Sequence, residues 1–256
     1  MNNEINKAGR PYIFRFRPDS DRSIDEIANN YIYFADRDSL NDPFDSSPEL
    51  VELTKNPDEI KKFYDLISKN ITDEKVKRHF KSNYNHESLQ SYAQSKIVDL
   101  ILDFGIACFS MYIMNMPLWA NYSNNHKGIC LQFNSDIDKK FFSILKPVYY
   151  QENLSQMEFR PITEGNEFEK IFFRKDKSWE NEKEIRLLKD FKGKLKFNKN
   201  ALRNVILGYN SEPNYVRKVY QAIRDNYSDV EIYKLEKPTK IEKLTLTKIN
   251  TMPNIA

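Results

Sequence analysis

One short stretch in the second half of the chain constrains the fold most strongly. Residues 182–188 read Glu-Lys-Glu-Ile-Arg-Leu-Leu. Side chains of a β-strand alternate between the two faces of its sheet, so Ile185 and Leu187 are predicted to point into a core. Glu182, Glu184 and Arg186 then form a row on the opposite face. Such a row suits an ionic binding or catalytic surface, or a solvated face whose loose ion pairs contribute little to stability.

The composition argues against several common kinds of site. Glycine is scarce, with 6 residues in 256, and neither the Rossmann nor the P-loop glycine pattern occurs. Cys108 and Cys130 each lie in an apolar run, outside any CxxC motif or Cys/His cluster. We therefore predict buried free thiols and no metal site. The formal net charge of +3 does not by itself indicate nucleic-acid binding.

The ends and the apolar runs indicate where such a protein would work. Residues 1–10 are polar and of mixed charge, which does not resemble a signal peptide. No apolar run is long enough to cross a bilayer. We therefore expect a cytoplasmic protein that does not enter a membrane.

Hydrophobic periodicity predicts one α+β domain over residues 1–256. Residues 48–103 carry helix-start signals at Asn56 and Thr72 and apolar stripes at helical spacing, and they are predicted to form a helical insertion. Helices are also predicted at residues 136–144 and 167–175. We expect one curved or split mixed sheet core. Its central strands are predicted near residues 12–17, 105–110, 127–133 and 184–189.

Two local patterns near the N-terminus carry further expectations. Ser23 and Glu26 have the spacing of a capping box, which predicts a short helix through Ile27. Asn41 and Asp42 precede a proline, and their side-chain oxygens are suited to a turn. This turn is either a rigid structural element or a loop that forms part of a site.

Several motifs, taken together and in order, resemble the bacterial DUF2971 family. They cover most of residues 12–188, while the last third matches only in its strand-helix-strand pattern. The family name implies no settled function. The matching segments are 12–18, 32–35, 41–45, 108–110, 118–122, 126–130 and 179–186.

The chain also has a more distant resemblance to ADP-ribosyltransferases of the Arg-Ser-Glu kind. These enzymes carry a basic residue on a first strand, a serine on a central strand and Glu-x-Glu at the start of a later strand. The matching positions are Arg15 or Arg17, then Ser110, then Glu182 and Glu184. The chain departs from that pattern in having a single hydroxyl residue on its central strand and a helical segment before it.

The transferase resemblance implies a role for each of these side chains. Cleavage of the bond between nicotinamide and ribose builds positive charge on the sugar, which the Glu184 carboxylate would stabilise. Glu182 would orient or deprotonate the acceptor nucleophile. Ser110 would bond the ribose or brace Glu184. Arg15 or Arg17 would pair with the pyrophosphate of NAD.

A second group of residues is predicted to bind the cofactor. Trp119, Tyr122 and His126 are candidates for a wall on which a base stacks, and core packing is the alternative explanation for these rings. The remaining candidates in this group are Tyr12, Asn41 and Asp42.

Three functions are compatible with these patterns. The first is an NAD-dependent ADP-ribosyltransferase-like enzyme, such as a toxin or phage-defence effector, that modifies a protein or nucleic acid and works with an antitoxin or defence-system partner. The second is a non-catalytic binding or sensor module in which the charges form a structural network. The third is a metal-dependent nuclease that uses Asp42, Asp45, Glu182 and Glu184, although it lacks the usual lysine two residues after a strand acid.

Overall fold

The computed structural model describes residues 11–68, 86–160, 165–237 and 245–251. Contacts within the chain divide it into two compact units. The first unit comprises Met1–Phe34, Ile106–Pro147 and Trp179–Ala256, and the second comprises Ala35–Gly105 and Val148–Ser178.

One eight-stranded sheet forms the centre of the first unit. Strands β12 (Leu202–Leu207) and β13 (Glu231–Leu235) run parallel. Strand β1 (Tyr12–Arg17) is antiparallel to both β4 (Gly105–Ser110) and β5 (Ile129–Asn134), and β10 (Glu184–Lys189) is antiparallel to β6 (Leu145–Pro147). The predicted α+β class with a large mixed sheet is confirmed, and all four predicted central strands belong to this sheet. In spatial order the strands are β14 (Leu246–Lys248), β13 (Glu231–Leu235), β12 (Leu202–Leu207), β5 (Ile129–Asn134), β1 (Tyr12–Arg17), β4 (Gly105–Ser110), β10 (Glu184–Lys189) and β6 (Leu145–Pro147).

Helices cover one face of this sheet, which we call the α1 face. Helices α1 (Asp21–Ala28) and α5 (Pro213–Asn226) pack there on apolar side chains such as Ile13 and Phe109. The opposite face, the Trp119 face, packs around Trp119 of helix α4 (Met116–Tyr122). A separate two-stranded ribbon joins β2 (Tyr31–Phe34) to β11 (Gly193–Lys196) in antiparallel pairing.

The start of α1 differs from the predicted capping box. Ser20 is the N-cap, and its side chain accepts a hydrogen bond from the Ser23 backbone N–H. Ser23 itself lies inside the helix, where its hydroxyl donates to the Pro18 carbonyl at 2.6 Å. Glu26 is buried and pairs with arginines of β1 instead of capping the helix.

The second unit contains helices α2 (Pro57–Ser68) and α3 (His86–Asp103). The helix start at Asn56 is confirmed, because its side-chain oxygen accepts from the backbone N–H of Asp58 at 3.0 Å. A further helix predicted to begin at residue 72 lies outside the described residues. Short strand pairs join β3 (Val51–Leu53) to β8 (Met157–Phe159) and β7 (Tyr149–Gln151) to β9 (Arg174–Asp176).

Several connections are 3-10 helices or turns instead of α-helices. Residues 136–144, predicted to be a short helix, form turns, and the helix predicted at 167–175 is a 3-10 helix. Among the described residues, no helix has the length and apolar character needed to cross a membrane. The 3-10 helices are Arg37–Ser39, Pro48–Leu50, Gly165–Phe173, Lys177–Glu182 and Lys199–Ala201.

Candidate functional site

The predicted alternation along β10 places its charged residues on the Trp119 face. Ile185 and Leu187 belong to the apolar core of the α1 face. Glu184 and Arg186 therefore point to the opposite side of the sheet. Both are buried, with 4% and 0% of their surfaces exposed. Glu184 and Arg186 therefore do not form the solvent-exposed row of charges that was one of the two expectations from sequence.

Glu184 and Arg186 form a two-pronged ion pair. Arg186 Nε donates to Glu184 Oε1 at 2.6 Å, and its Nη2 donates to Oε2 at 2.9 Å. This parallel arrangement fixes the orientation of both side chains. A buried pair of this kind costs desolvation energy, so its presence alone is weak evidence of stabilisation.

Glu182 lies at the entry to β10 and contacts a tyrosine of α4. The Tyr122 hydroxyl donates to Glu182 Oε1 at 2.5 Å. Burial raises the pKa of Tyr122, and the charge and hydrogen bond of Glu182 raise it further. Cys108 and Glu184 add smaller contributions in the same direction, so both carboxylates act on this phenol.

The residue between the two glutamates has a left-handed backbone. Lys183 has φ of 46°, an uncommon conformation for a residue with a side chain. Its carbonyl accepts from the Met111 backbone N–H at 3.1 Å. Such conformations cost about 1–3 kcal/mol and occur often at functional sites.

Ser110 braces the same turn. Its hydroxyl donates to the Glu182 carbonyl at 2.9 Å and accepts from the Tyr112 backbone N–H at 3.3 Å. Ser110 is therefore close to the backbone of Glu182, from which it is separated by 72 positions in sequence. The three predicted catalytic residues, Ser110, Glu182 and Glu184, come together at one end of β4 and β10.

The structure does not bring the arginines of β1 to this group. Phe14 lies directly opposite Ser110 in the β1–β4 register, so their side chains share the Trp119 face. Arg15 and Arg17 therefore point to the α1 face. The two arginines thus share one face of the sheet, as alternation along a strand requires, but that face is not the one that carries Ser110 and Glu184.

Glu26 of α1 holds both arginines. Arg15 Nε donates to Glu26 Oε1 at 2.9 Å, and the other nitrogens of its guanidinium donate to the carbonyls of Cys108 and Tyr33. Arg17 Nε lies 2.7 Å from Glu26 Oε2 without the alignment of a hydrogen bond, so this contact is an ion pair only. Burial lowers the pKa of Arg17, which the Glu26 charge opposes.

Two of the three rings predicted to form an aromatic wall, Trp119 and His126, lie in a row on the Trp119 face, whereas the third, Tyr122, bonds to Glu182. The His126 ring stacks on Tyr209 with centroids 4.4 Å apart, and Trp119 lies parallel to His126 at 6.4 Å. Trp119 also packs edge-on against Phe16. Its indole N–H donates to the Ile113 carbonyl at 2.9 Å, so Trp119 is a fully paired core residue. Tyr209 was not recognised from the sequence.

His126 ends a tight turn of three left-handed residues, with φ values between 48° and 65°. A Cβ on Gly208 would lie 2.0 Å from the His126 carbonyl oxygen, so only glycine permits this approach. Burial lowers the pKa of His126, and its Nδ1 has no hydrogen-bond partner among the described residues. The neutral imidazole is therefore the favoured form.

The other predicted cofactor-binding residues lie in different surroundings. Tyr12 is buried in the apolar cluster of the Trp119 face. Asn41 and Asp42 belong to the second unit. There Asp42 Oδ1 accepts from the Phe44 backbone N–H at 2.9 Å, which confirms the predicted turn chemistry.

No group of three or more His, Cys, Asp or Glu side chains in the described part of the chain is arranged to hold a metal ion. Cys108 and Cys130 are free thiols, as predicted, although only Cys130 is fully buried. The sequence did not identify the partners of Glu26. Arg186 stood in the predicted row, whereas nothing local to Glu26 indicated its contact with β1.

A scan of family models supports one of the two resemblances. Residues 118–187 match the model described as "Protein of unknown function (DUF2971)". The matched segment contains most of α4, all of β5 and most of β10, and so includes Trp119, Tyr122, Glu182 and Glu184. No significant match exists among the curated proteins or the solved structures.

Proposed function

We propose that this chain is an ADP-ribosyltransferase-like enzyme that uses NAD and carries out its chemistry on the Trp119 face. The observation that carries the proposal is that two buried carboxylates, those of Glu182 and Glu184, lie at the entry to β10, where the Ser110 hydroxyl holds the Glu182 carbonyl. A preorganised negative site stabilises a positive charge that develops in a transition state.

The proposed reaction breaks the glycosidic bond between nicotinamide and ribose. The bonding electrons leave with nicotinamide, and positive charge spreads over the ribose ring. Glu184 would lie against that charge, with its orientation fixed by Arg186. The acceptor nucleophile forms the new bond to the same ribose carbon, and its proton passes to Glu182.

Ser110 and Tyr122 act as positioning residues in this proposal. The Ser110 hydroxyl holds the Glu182 carbonyl, and the Tyr122 hydroxyl holds the Glu182 carboxylate. Because burial raises the pKa of Tyr122, the phenol stays protonated and remains a donor near neutral pH. Arg15 and Arg17 have no part in this proposal, since both are committed to Glu26.

The test is an incubation of wild-type protein with NAD labelled on its adenine half. We expect release of nicotinamide and transfer of label to a macromolecule when cell extract supplies the acceptor. Glu182→Gln should suppress label transfer more than nicotinamide release, because Glu182 serves the acceptor. Absence of nicotinamide release with every extract would contradict the proposal.

A second candidate is a non-catalytic binding or sensor module, which the closed geometry of the Glu184–Arg186 pair favours. Buried pairs can often be replaced by apolar residues of similar volume without loss of stability. Under this alternative, Glu184→Leu with Arg186→Met yields a folded protein, and neither it nor the wild type releases nicotinamide. Under the enzyme proposal, the wild type releases nicotinamide, whereas the same double variant folds but releases none.

A further inference from the structure

Positive charge is concentrated in one short segment of the first unit. Residues 189–199 contain five lysines and one aspartate, a net charge of +4. The whole chain of 256 residues has a net charge of only +3, so the rest of the chain is slightly negative. The excess of cations is therefore a local property of this segment.

The segment leaves the large sheet through a turn that requires glycine. Gly193 has φ of 112°, which side-chain-bearing residues rarely adopt. Strand β11 follows and pairs with β2, with Lys194 opposite Tyr33 and Lys196 opposite Tyr31. Along β11, Lys194 and Lys196 are exposed while Leu195 is half-buried, so the lysines form a row spaced by about 6.7 Å.

A neighbouring turn adds two more lysines. The backbone N–H of Asn198 donates to Asp138 Oδ2 at 2.9 Å, and Lys189 Nζ donates to the Lys140 carbonyl at 3.5 Å. These contacts hold residues 138–140 against both ends of the segment. We call the resulting patch the lysine surface, and it comprises Lys139, Lys140, Lys189, Lys192, Lys194, Lys196 and Lys199.

Nearby acids neutralise only part of this charge. Lys194 pairs with Asp25 at 2.8 Å. Both oxygens of Asp138 accept backbone N–H groups and so stabilise turns. Within the described ranges, Lys192 and Lys196 have no ion pair, and both are exposed.

We propose that the lysine surface binds single-stranded nucleic acid. Ammonium groups that recur along one extended segment suit a linear chain of phosphates, whose binding releases condensed counterions. Phe191, at the turn before β11, is 44% exposed and lies among the lysines. Exposed aromatic rings beside a basic groove stack on bases without regard to sequence.

Two other anionic partners fit this surface less well. Interfacial membrane binding generally uses an amphipathic helix with a broad apolar face, whereas β11 is a ribbon strand with one exposed aromatic residue beside it. A folded acidic protein requires shape complementarity and an apolar centre, for which the lysine surface offers little besides Phe191. The proposal is independent of any NAD chemistry, because it rests on different residues.

The experiment measures the affinity of the whole chain for fluorescein-labelled 20-nucleotide oligo-dT and oligo-U by anisotropy, from 25 to 200 mM salt. Each phosphate contact on a single strand contributes about −0.7 to the slope of log K against log salt. Lys192→Gln with Lys196→Gln should therefore make the slope shallower by about 1.4. Phe191→Ala should weaken binding about 5- to 150-fold and leave the slope unchanged.

A matched control removes the same charge elsewhere in the first unit. Lys234 belongs to β13, and Lys237 follows just after it. Four strands of the sheet lie between β13 and β10. Lys234→Gln with Lys237→Gln should keep the wild-type slope. The proposal is overturned if the oligonucleotides do not bind at 25 mM salt, if both double variants change the slope equally, or if only phosphatidylserine vesicles bind.

Discussion

Two clusters of buried charge lie on opposite faces of the same sheet, and they connect different parts of the fold. On the α1 face, Arg15 and Arg17 of β1 pair with the carboxylate of Glu26 in α1. On the Trp119 face, the carboxylates of Glu182 and Glu184 lie at the start of β10, where Arg186 pairs with Glu184. The first cluster therefore joins a helix to the sheet, whereas the second joins residues of one strand and its entry.

The two clusters also differ in how far they are closed by the fold. Glu26 is 1% exposed and lies on the buried side of α1, and Arg15 additionally donates to two backbone carbonyls. The second cluster lies at the start of a strand, beside the half-buried Lys183 and Tyr122. We infer that the first cluster fixes α1 to the sheet, whereas the second is suited to act on a bound molecule.

The largest expected effect concerns the α1 face. Glu26→Gln removes the only carboxylate in the described part of the chain that pairs with Arg15 and Arg17, and it leaves one buried and one half-buried cation uncompensated. Breaking a buried ion pair in this way costs about 3–5 kcal/mol. Urea unfolding should show this loss in the free energy of unfolding.

Asp25→Asn is the control for this prediction, because it lies on the same helix in an exposed pair with Lys194. Exposed ion pairs contribute about 0–1 kcal/mol. If Glu26→Gln is no less stable than Asp25→Asn, the α1-face cluster does not hold the helix in place.

A smaller effect is expected on the Trp119 face. Tyr122→Phe removes the hydrogen bond to the Glu182 carboxylate while keeping the ring. Hydrogen bonds to charged groups contribute about 1.5–3 kcal/mol, and partial exposure should reduce this to about 1–2 kcal/mol. Tyr220→Phe is the control, because the Tyr220 hydroxyl accepts an exposed bond from Arg224. Equal stabilities of the two variants would mean that Tyr122 does not hold Glu182.

The smallest effect expected from a single side chain is a loss of stability at alkaline pH. Burial raises the pKa of Tyr122, Tyr215 and Tyr227 above the usual value near 10. Above pH 10 the unfolded chain therefore loses protons that the folded chain retains, so the free energy of unfolding falls. Each tyrosine contributes up to about 1.4 kcal/mol per pH unit.

Unfolding by urea between pH 9 and 11 tests this alkaline slope. Tyr215→Phe should make the decline shallower, since it removes one of the groups that titrate differently in the two states. Tyr149→Phe should leave it unchanged, because Tyr149 is 65% exposed. A decline that is identical in both variants would contradict the assignment of the slope to buried phenols.

The faces of individual strands were predictable from sequence, because alternation is a local property. It correctly grouped Arg15 with Arg17 and Glu184 with Arg186. The side of the sheet that each pair occupies depends on the register between distant strands. The pairing of Phe14 with Ser110 links positions 96 apart, and no local pattern encodes it.

The ion-pair partners of the buried charges could not be predicted from local sequence patterns either. The spacing of Ser23 and Glu26 fits a capping box, but Ser20 caps α1 and Glu26 is drawn to β1 by two guanidiniums. Ion pairing in a buried position outweighs a capping contact, which contributes only about 1 kcal/mol. In contrast, the order of the serine and the Glu-x-Glu motif along the chain predicted the group of Ser110, Glu182 and Glu184. These residues meet because β4 and β10 are neighbours in the sheet.

The central claim is that the cluster of Glu182 and Glu184 acts on a substrate, while the cluster of Arg15, Arg17 and Glu26 maintains the fold. The most direct test measures nicotinamide release and label transfer from NAD by wild type, Glu184→Gln, Glu182→Gln and Glu26→Gln, each at a temperature where melting shows it to be folded. We expect Glu184→Gln to lose about 10²–10³ in turnover, Glu182→Gln to reduce transfer to the acceptor, and folded Glu26→Gln to keep the wild-type rate. Wild-type turnover by folded Glu184→Gln and Glu182→Gln would contradict the account.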